Sequence, residues 1–340
     1  MLRVWFNKTF SSVAAAIRLI RAADTAREYH ILCTHTKAFS PVFLAADESA
    51  IEPNKLTGKA YVEWCLEFCR EQQIAIFVPG KEAGLISANK EKFAAQGTRV
   101  LSVADQQTIE LLNDKAAFYH HVKLPLAPPA EFSQFENLEQ FEAAYADLRE
   151  RHPILCVKPA ISVYGLGFSV LNEARSSAQL LMEGVQYQMG VEDFRRGIAN
   201  MGNFRSMLLM EYLDGHEYSV DCLADNGRLI CAIPRKKSLL IGHGQTIDIR
   251  EEIQICAAEL AAQYNLNGIF NAQFREGRNG LRLLEINARM SGGIGMACLA
   301  GANLPYLMLV GFDRGYEGLE IPALKNGIRV TEMSLPVILQ

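Results

Sequence analysis

The chain has 340 residues, of which 49% are hydrophobic and 21% charged, with a net charge of −4. That is enough chain for two or three domains with a sizeable core, and the balance is ordinary for a soluble globular protein. No basic run stands out and no apolar stretch reaches the length of a membrane span, so neither nucleic acid nor a membrane is expected as a partner.

The first 110 residues alternate strand and helix patterns. Strands are predicted at residues 2–6, 29–34, 42–45, 74–78 and 98–103. A helix at 61–73 sets Val62, Cys65, Leu66 and Cys69 on one face. Alternating strands and helices predict a parallel, doubly wound α/β sheet. Ligands of such sheets bind beyond the C-terminal strand ends. Those ends are Asn7-Lys8-Thr9 and Pro79-Gly80-Lys81-Glu82, which read equally as plain connections. No GxGxxG follows the first strand, so a dinucleotide is not indicated. The opening residues show no charged leader before a long apolar run, so no signal peptide is expected and the default location is the cytoplasm.

Residues 105–123 read as helical and carry Asn113-Asp114-Lys115. The run Leu124-Pro125-Leu126-Ala127-Pro128-Pro129 breaks the pattern and starts a new unit. Residues 137–151 form a predicted helix, and 154–159 an apolar strand ending in Lys158-Pro159. The loop at 160–168 holds Ser162, Gly165 and Gly167. Such a loop presents backbone N–H groups to phosphate oxygens, and an ordinary β-hairpin has the same look. Residues 207–213 are an apolar strand containing Glu211 and Leu213. Asp214-Gly215-His216 turns it, and 217–221 alternates into the next strand from Glu217. Asp225-Asn226-Gly227-Arg228 is a hairpin signal. Arg235 and the loop around His243 follow, and 249–264 is helical.

The densest pattern is 268–293, two alternating strands around Arg278-Asn279-Gly280. A three-residue loop there sets Gln273 opposite Glu285 and Asn271 opposite Asn287, all on one sheet face. One carboxylate with several amide oxygens suits Mg²⁺ held together with substrate phosphates. The same pattern also describes an amphipathic hairpin with a solvated polar face. The eight cysteines form no CxxC pair and sit in apolar patterns, so they read as core residues of a reducing compartment. The histidines form no HxH or HExxH pattern, and no GxSxG appears.

The order of these pieces resembles the ATP-grasp superfamily, in particular the branch containing the synthetase halves of carbamoyl phosphate synthase. The motifs that carry it are Lys158-Pro159, Met210-Glu211-Tyr212-Leu213 with Glu217, and Glu285-Ile286-Asn287-Ala288-Arg289 with Gln273, over about residues 111–312. The opening residues and the Tyr164-Gly165-Leu166-Gly167-Phe168 loop are also similar to grasp proteins associated with tellurium-resistance operons. The resemblance implies an N-terminal pre-grasp α/β domain at 1–110 and a grasp module at 111–340. That module would be two α+β lobes clamping ATP, with a lid at about 125–212. It implies that Lys115 and Lys158 contact ATP phosphates and that the loop Ser162–Gly167, with Gly165, closes over them. Glu211 and Leu213 would hold adenine through backbone groups, and Glu217 the ribose. Gln273, Glu285 and Asn287 would hold Mg²⁺ or Mn²⁺, Arg289 would face the reacting carboxyl group, and Arg235 and His243 would face the nucleotide. The loop departs from the family in having Ser162, Val163 and Tyr164 where small residues are usual. There is one grasp module and no glutaminase segment, so complete carbamoyl phosphate synthesis is not expected.

The expected activity is an ATP-dependent ligase joining a small-molecule carboxylate to an amine or related nucleophile through an acyl phosphate, with a homodimer possible. The alternatives are a nucleotide-binding module without catalysis and a kinase that stops at phosphoryl transfer.

Overall fold

A computed structural model describes residues 1–8, 12–162, 166–240, 242–333 and 336–338. The chain divides into two compact units. One joins Met1–Glu110, His216–Phe274 and Ile286–Gln340, and the other joins Leu111–Gly215 and Arg275–Glu285. Among the described residues no helix is long and apolar enough to cross a membrane.

The first unit opens with a parallel sheet of β1 (Leu2–Phe6), β2 (Tyr29–His35), β3 (Glu48–Ile51), β4 (Ile76–Val78) and β5 (Arg99–Val100). Its order is β3-β2-β1-β4-β5, so the winding reverses between β1 and β4. A parallel sheet is covered on both faces, and its central strand must be apolar on both. Val4 and Phe6 pack with Ala16, Ile17 and Ile20 of the helix Ser12–Ala23. Trp5 points the other way, against Tyr61, Cys65 and Phe68 of the helix Gly58–Glu71. This is the doubly wound α/β sheet that the strand–helix alternation predicts. The strand expected at 42–45 is instead a 3-10 turn, Pro41–Leu44. Pro41 has no N–H for a ladder, and its fixed φ suits the first position of a helical turn. The strands expected at 74–78 and 98–103 shorten to β4 and β5. Pro79 ends β4, and β5 is the edge strand beside β4 among the described residues.

The second unit holds a sheet of β6 (Phe132–Phe135), β7 (Leu155–Pro159), β8 (Ser169–Asn172), β9 (Gln188–Gly190) and β10 (Met207–Glu211). The order is β6-β10-β7-β8-β9. The helix Leu138–Arg151 covers it with Phe141, Ala144, Tyr145 and Leu148, spaced three and four apart. Asn137 caps that helix by accepting from the Gln140 N–H. The helix expected at 105–123 is two, Gln106–Asn113 and Lys115–His121. Asp114 divides them, because its side chain accepts the N–H groups of Ala116 and Ala117 and so starts a new helix.

A third sheet is built from β11 (Glu217–Asp225), β12 (Arg228–Lys237), β13 (Gln245–Ile247), β14 (Gly268–Gly277), β15 (Gly280–Asn287) and β16 (Arg329–Val330), in the order β15-β14-β11-β12-β13-β16. The tip of the β14–β15 hairpin, Arg275–Glu285, groups with the second unit. Only Arg278 and Asn279 lie between β14 and β15, in place of the three-residue loop expected, and Gly280 opens β15 with φ 100°, a conformation glycine adopts without strain. The helix Glu251–Gln263 buries Ile253, Cys256, Ala257, Leu260 and Ala261.

Candidate nucleotide and metal site

In the second unit three of the expected residues come together. Lys115 starts the helix capped by Asp114, and its Nζ lies 3.3 Å from Glu285 Oε2 and donates to the Ser162 carbonyl at 3.0 Å. Lys115 is buried, with 9% of its side chain exposed against 27% for Glu285, so the ammonium is largely desolvated while the carboxylate still meets solvent. Lys158 projects from β7, where its neighbours Val157 and Pro159 are buried. Its Nζ donates to the Tyr119 hydroxyl at 2.9 Å. Burial pulls the Lys158 ammonium below the usual lysine range, and the nearby Cys156 and Glu285 oppose that shift. Two lysines and one carboxylate therefore share a partly desolvated corner. Such a corner binds a metal–phosphate unit well, because the carboxylate takes the metal and the ammonium groups take phosphate oxygens.

Glu211 ends β10, and its N–H is spent on the Glu131 carbonyl. Its carbonyl accepts from the Cys156 thiol at 3.7 Å. Leu213 is buried, and its N–H has no hydrogen-bond partner among the described residues. Gly167 has φ 82°, and a Cβ there would lie 2.8 Å from Pro159 Cγ, so the loop needs glycine at that point. Gly165, with Val163 and Tyr164, lies outside the described residues.

The remaining expected residues belong to the first unit. Glu217 begins β11 and pairs with Lys237 of β12. Gln273 donates its amide to Asn271 Oδ1 at 3.4 Å. Asn287 ends β15, and its carbonyl accepts the Arg289 N–H at 2.7 Å. Arg289 donates through Nη1 to the Met290 carbonyl at 3.2 Å. His243 is exposed, and its carbonyl accepts from Arg329.

Arg235 is not a surface-facing cation. Its side chain is 2% exposed and meets Asp221 at 3.0 Å through Nε and 2.9 Å through Nη2. It also donates to Ser219 Oγ at 3.0 Å, Ser291 Oγ at 2.9 Å and the Gln245 amide oxygen. Asn271 joins this network by donating to Ser219, Val220 and Asp221. Asp221, Ser219 and Ser291 carry no sequence signal for this role beyond the strand alternation that turns Ser219 and Asp221 to one face.

Among the described residues no three or more His, Cys, Asp or Glu side chains are grouped to hold a metal ion. A cation at the corner would meet one carboxylate, Glu285, and would take its other ligands from phosphate oxygens and water, the habit of Mg²⁺. Tyr119 is the residue at the corner that the sequence does not single out. It lies four after Lys115 on the same helix, and that spacing is its only signal.

The architecture is the ATP-grasp fold. Residues 203–336 match the model of a family described as ATP-grasp in the biosynthetic pathway with Ter operon. The fold is shared with N5-carboxyaminoimidazole synthetase from Staphylococcus aureus complexed with ADP, at 14% identity and a TM-score of 0.64, covering 96% of this chain and 80% of that one. It is shared with the biotin carboxylase domain dimer of 2-oxoglutarate carboxylase from Hydrogenobacter thermophilus, solved with MgADP, ADP and bicarbonate. That likeness has 16% identity and a TM-score of 0.62, over 91% of this chain and 69% of that one. L-amino acid ligase from Bacillus licheniformis has 13% identity and a TM-score of 0.62, over 95% and 78%. No curated protein matches the sequence.

Proposed function

We propose that this protein is an ATP-dependent ligase that activates a small-molecule carboxylate as an acyl phosphate and passes the acyl group to an amine or related nucleophile, releasing ADP and phosphate. The observation that carries this reading is the buried corner of Lys115, Lys158 and Glu285, with the Lys115 ammonium 3.3 Å from the carboxylate. The neighbours with this fold include proteins named as a synthetase and as an amino acid ligase, and two of those compared were solved with ADP.

In this reading the residues 1–110 are a pre-grasp domain and 111–340 the grasp module. Lys115 and Lys158 neutralise phosphate oxygens, while Glu211 and Leu213 present carbonyl and N–H to adenine. Glu217 accepts from the ribose hydroxyls. Glu285, Gln273 and Asn287 hold magnesium, which when bound supplies charge neutralisation at the phosphates. Arg289 orients the reacting carboxylate and stabilises its developing oxyanion. Arg235 acts through Ser291 and Asn271, as the anchor of the segments that carry them, and not by direct contact with the substrate.

The test is ADP and phosphate release with Mg²⁺ and pooled carboxylates and amines, followed by product analysis. A condensed product supports the ligase, and a stable phospho-product without condensation makes the protein a kinase. Glu285→Ala is expected to abolish turnover with the fold retained. Near-wild-type ADP release from that variant would sink the metal assignment.

A further inference from the structure

Tyr119 sits at the centre of the charged corner without bearing a charge. It is 5% exposed, and its ring packs edge-on against Phe132 at 5.3 Å. Its hydroxyl makes two contacts of opposite sense. It donates to the carbonyl of Leu284, the residue before Glu285, and it accepts from Lys158 Nζ.

The donor inventory fixes that arrangement. A phenol has one proton, and the Leu284 carbonyl can only accept, so the proton is committed there. The phenol oxygen therefore turns a lone pair to Lys158. Burial, with Glu285 nearby, raises the Tyr119 pKa far above its ordinary value, so the hydroxyl keeps its proton at any physiological pH. One ammonium proton of Lys158 is held by Tyr119, and among the described residues no other hydrogen-bond acceptor takes the remaining two.

We propose that Tyr119 is a positioning residue that ties the Lys158 ammonium to the backbone beside Glu285, fixing the phosphate-binding lysine relative to the metal-binding carboxylate. A free lysine side chain wanders over many rotamers, and ordering it at the moment of binding costs affinity. The relay from Lys158 through Tyr119 to Leu284 orders it in advance. The inference rests on the nucleotide reading and deepens it. Tyr119 never touches nucleotide in this account, so its loss is felt only where Lys158 acts, at the phosphates.

The experiment is calorimetric binding of ADP with Mg²⁺, and of adenosine, to wild type and to Tyr119→Phe, which keeps the ring and its packing. The variant is expected to bind ADP about tenfold more weakly, the factor that about 1.4 kcal/mol carries. Adenosine affinity should be unchanged. The variant's ADP binding should also fall away at lower pH than wild type, because the ammonium has lost an acceptor that favours its charged form. Equal losses for ADP and adenosine would mark a merely structural residue and overturn the proposal. Unchanged ADP binding would overturn it as well, leaving the nucleotide reading intact. Failure of wild type to bind ADP would overturn the nucleotide reading and this inference with it. If Tyr119→Phe does not fold, ¹⁵N-lysine spectra of wild type decide instead. The hydrogen-bonded Lys158 ammonium should give a slowly exchanging signal that Lys158→Met lacks, and absence of that signal overturns the proposal.

Discussion

Asp221 offers the sharpest test of how the first unit is held together. Its carboxylate is fully buried in β11 and receives Arg235 Nε at 3.0 Å and Nη2 at 2.9 Å on one oxygen, and Asn271 Nδ2 at 3.2 Å on the other. Asp221→Ala removes that carboxylate and leaves a guanidinium that water cannot reach. Ser219, Ser291 and Gln245 still accept from it, but none carries a balancing charge. Removing one partner of a buried ion pair costs about 3–5 kcal/mol, because the other keeps its desolvation penalty without its counter-charge. That is a large share of the roughly 5–15 kcal/mol that holds a protein folded. Arg235→Met strands the Asp221 carboxylate and should cost a similar amount. The double variant Asp221→Ala with Arg235→Met strands no charge, so its cost should fall well short of the sum. The assay is urea unfolding followed by tryptophan fluorescence. The chain has two tryptophans, Trp5 and Trp64, and both lie in the same unit as the ion pair. An Asp221→Ala variant within about 0.5 kcal/mol of wild type would behave as a surface substitution and refute the reasoning. Strict additivity in the double variant would refute it too.

Three further outcomes are expected. A methyl group at Gly293 would lie 2.3 Å from Arg235 Nη1, and the guanidinium is too firmly anchored to move away. Gly293→Ala should therefore cost about 1–3 kcal/mol as overpacking, measured by the same unfolding curve, and a neutral variant would show that the loop yields. Arg149 and Tyr145 hold the Glu173 carboxyl down at about 2 from the usual 4.5. A depressed carboxyl stabilises the fold in full above the unfolded value, and that contribution is lost as pH falls from about 4.5 towards about 2. Glu173→Gln should flatten the acid limb of stability in that window, modestly because the pair is half exposed, and an unchanged limb would count against the pairing. All eight cysteines are buried, and burial raises thiols such as Cys33, Cys156 and Cys298 to about 12. Native protein at mildly alkaline pH should leave all eight unlabelled by a thiol reagent and label them only when denatured. Fast labelling of any one would show an opening that the fold does not display.

The fold was readable where a pattern is local. Val4, Trp5 and Phe6 announce a strand covered on both faces, and helices on both faces follow from it. The glycine at 280 announces a hairpin turn, and its φ of 100° is a conformation glycine adopts without strain. Residues 42–45 misled because Val42, Phe43 and Leu44 are apolar and short, and periodicity cannot separate a strand from a helical turn over so few residues. Pro41 held the deciding information, as a residue that starts a helical turn and cannot join a ladder.

The candidate site was readable by residue type and not by commitment. A lysine after an apolar strand, a glutamate in an alternating hairpin and an arginine in a strand each announce a charge. None announces whether that charge is already spent. Arg235 is surrounded by Asp221, Ser219, Gln245 and Ser291, drawn from separate strands and a loop, so its role as an anchor exists only after folding. Lys115 and Glu285 are far apart in sequence, yet folding brings their charges within 3.3 Å. Tyr119 shows the converse. An aromatic residue on a buried helix face reads as core, and its ring is core, but its one hydroxyl proton has a fixed destination. The chemistry of the corner follows from counting donors and acceptors after the backbone has brought them together. A lysine whose three protons are all spent is structural, whereas Lys158 has one proton held by Tyr119 and no second hydrogen-bond acceptor among the described residues.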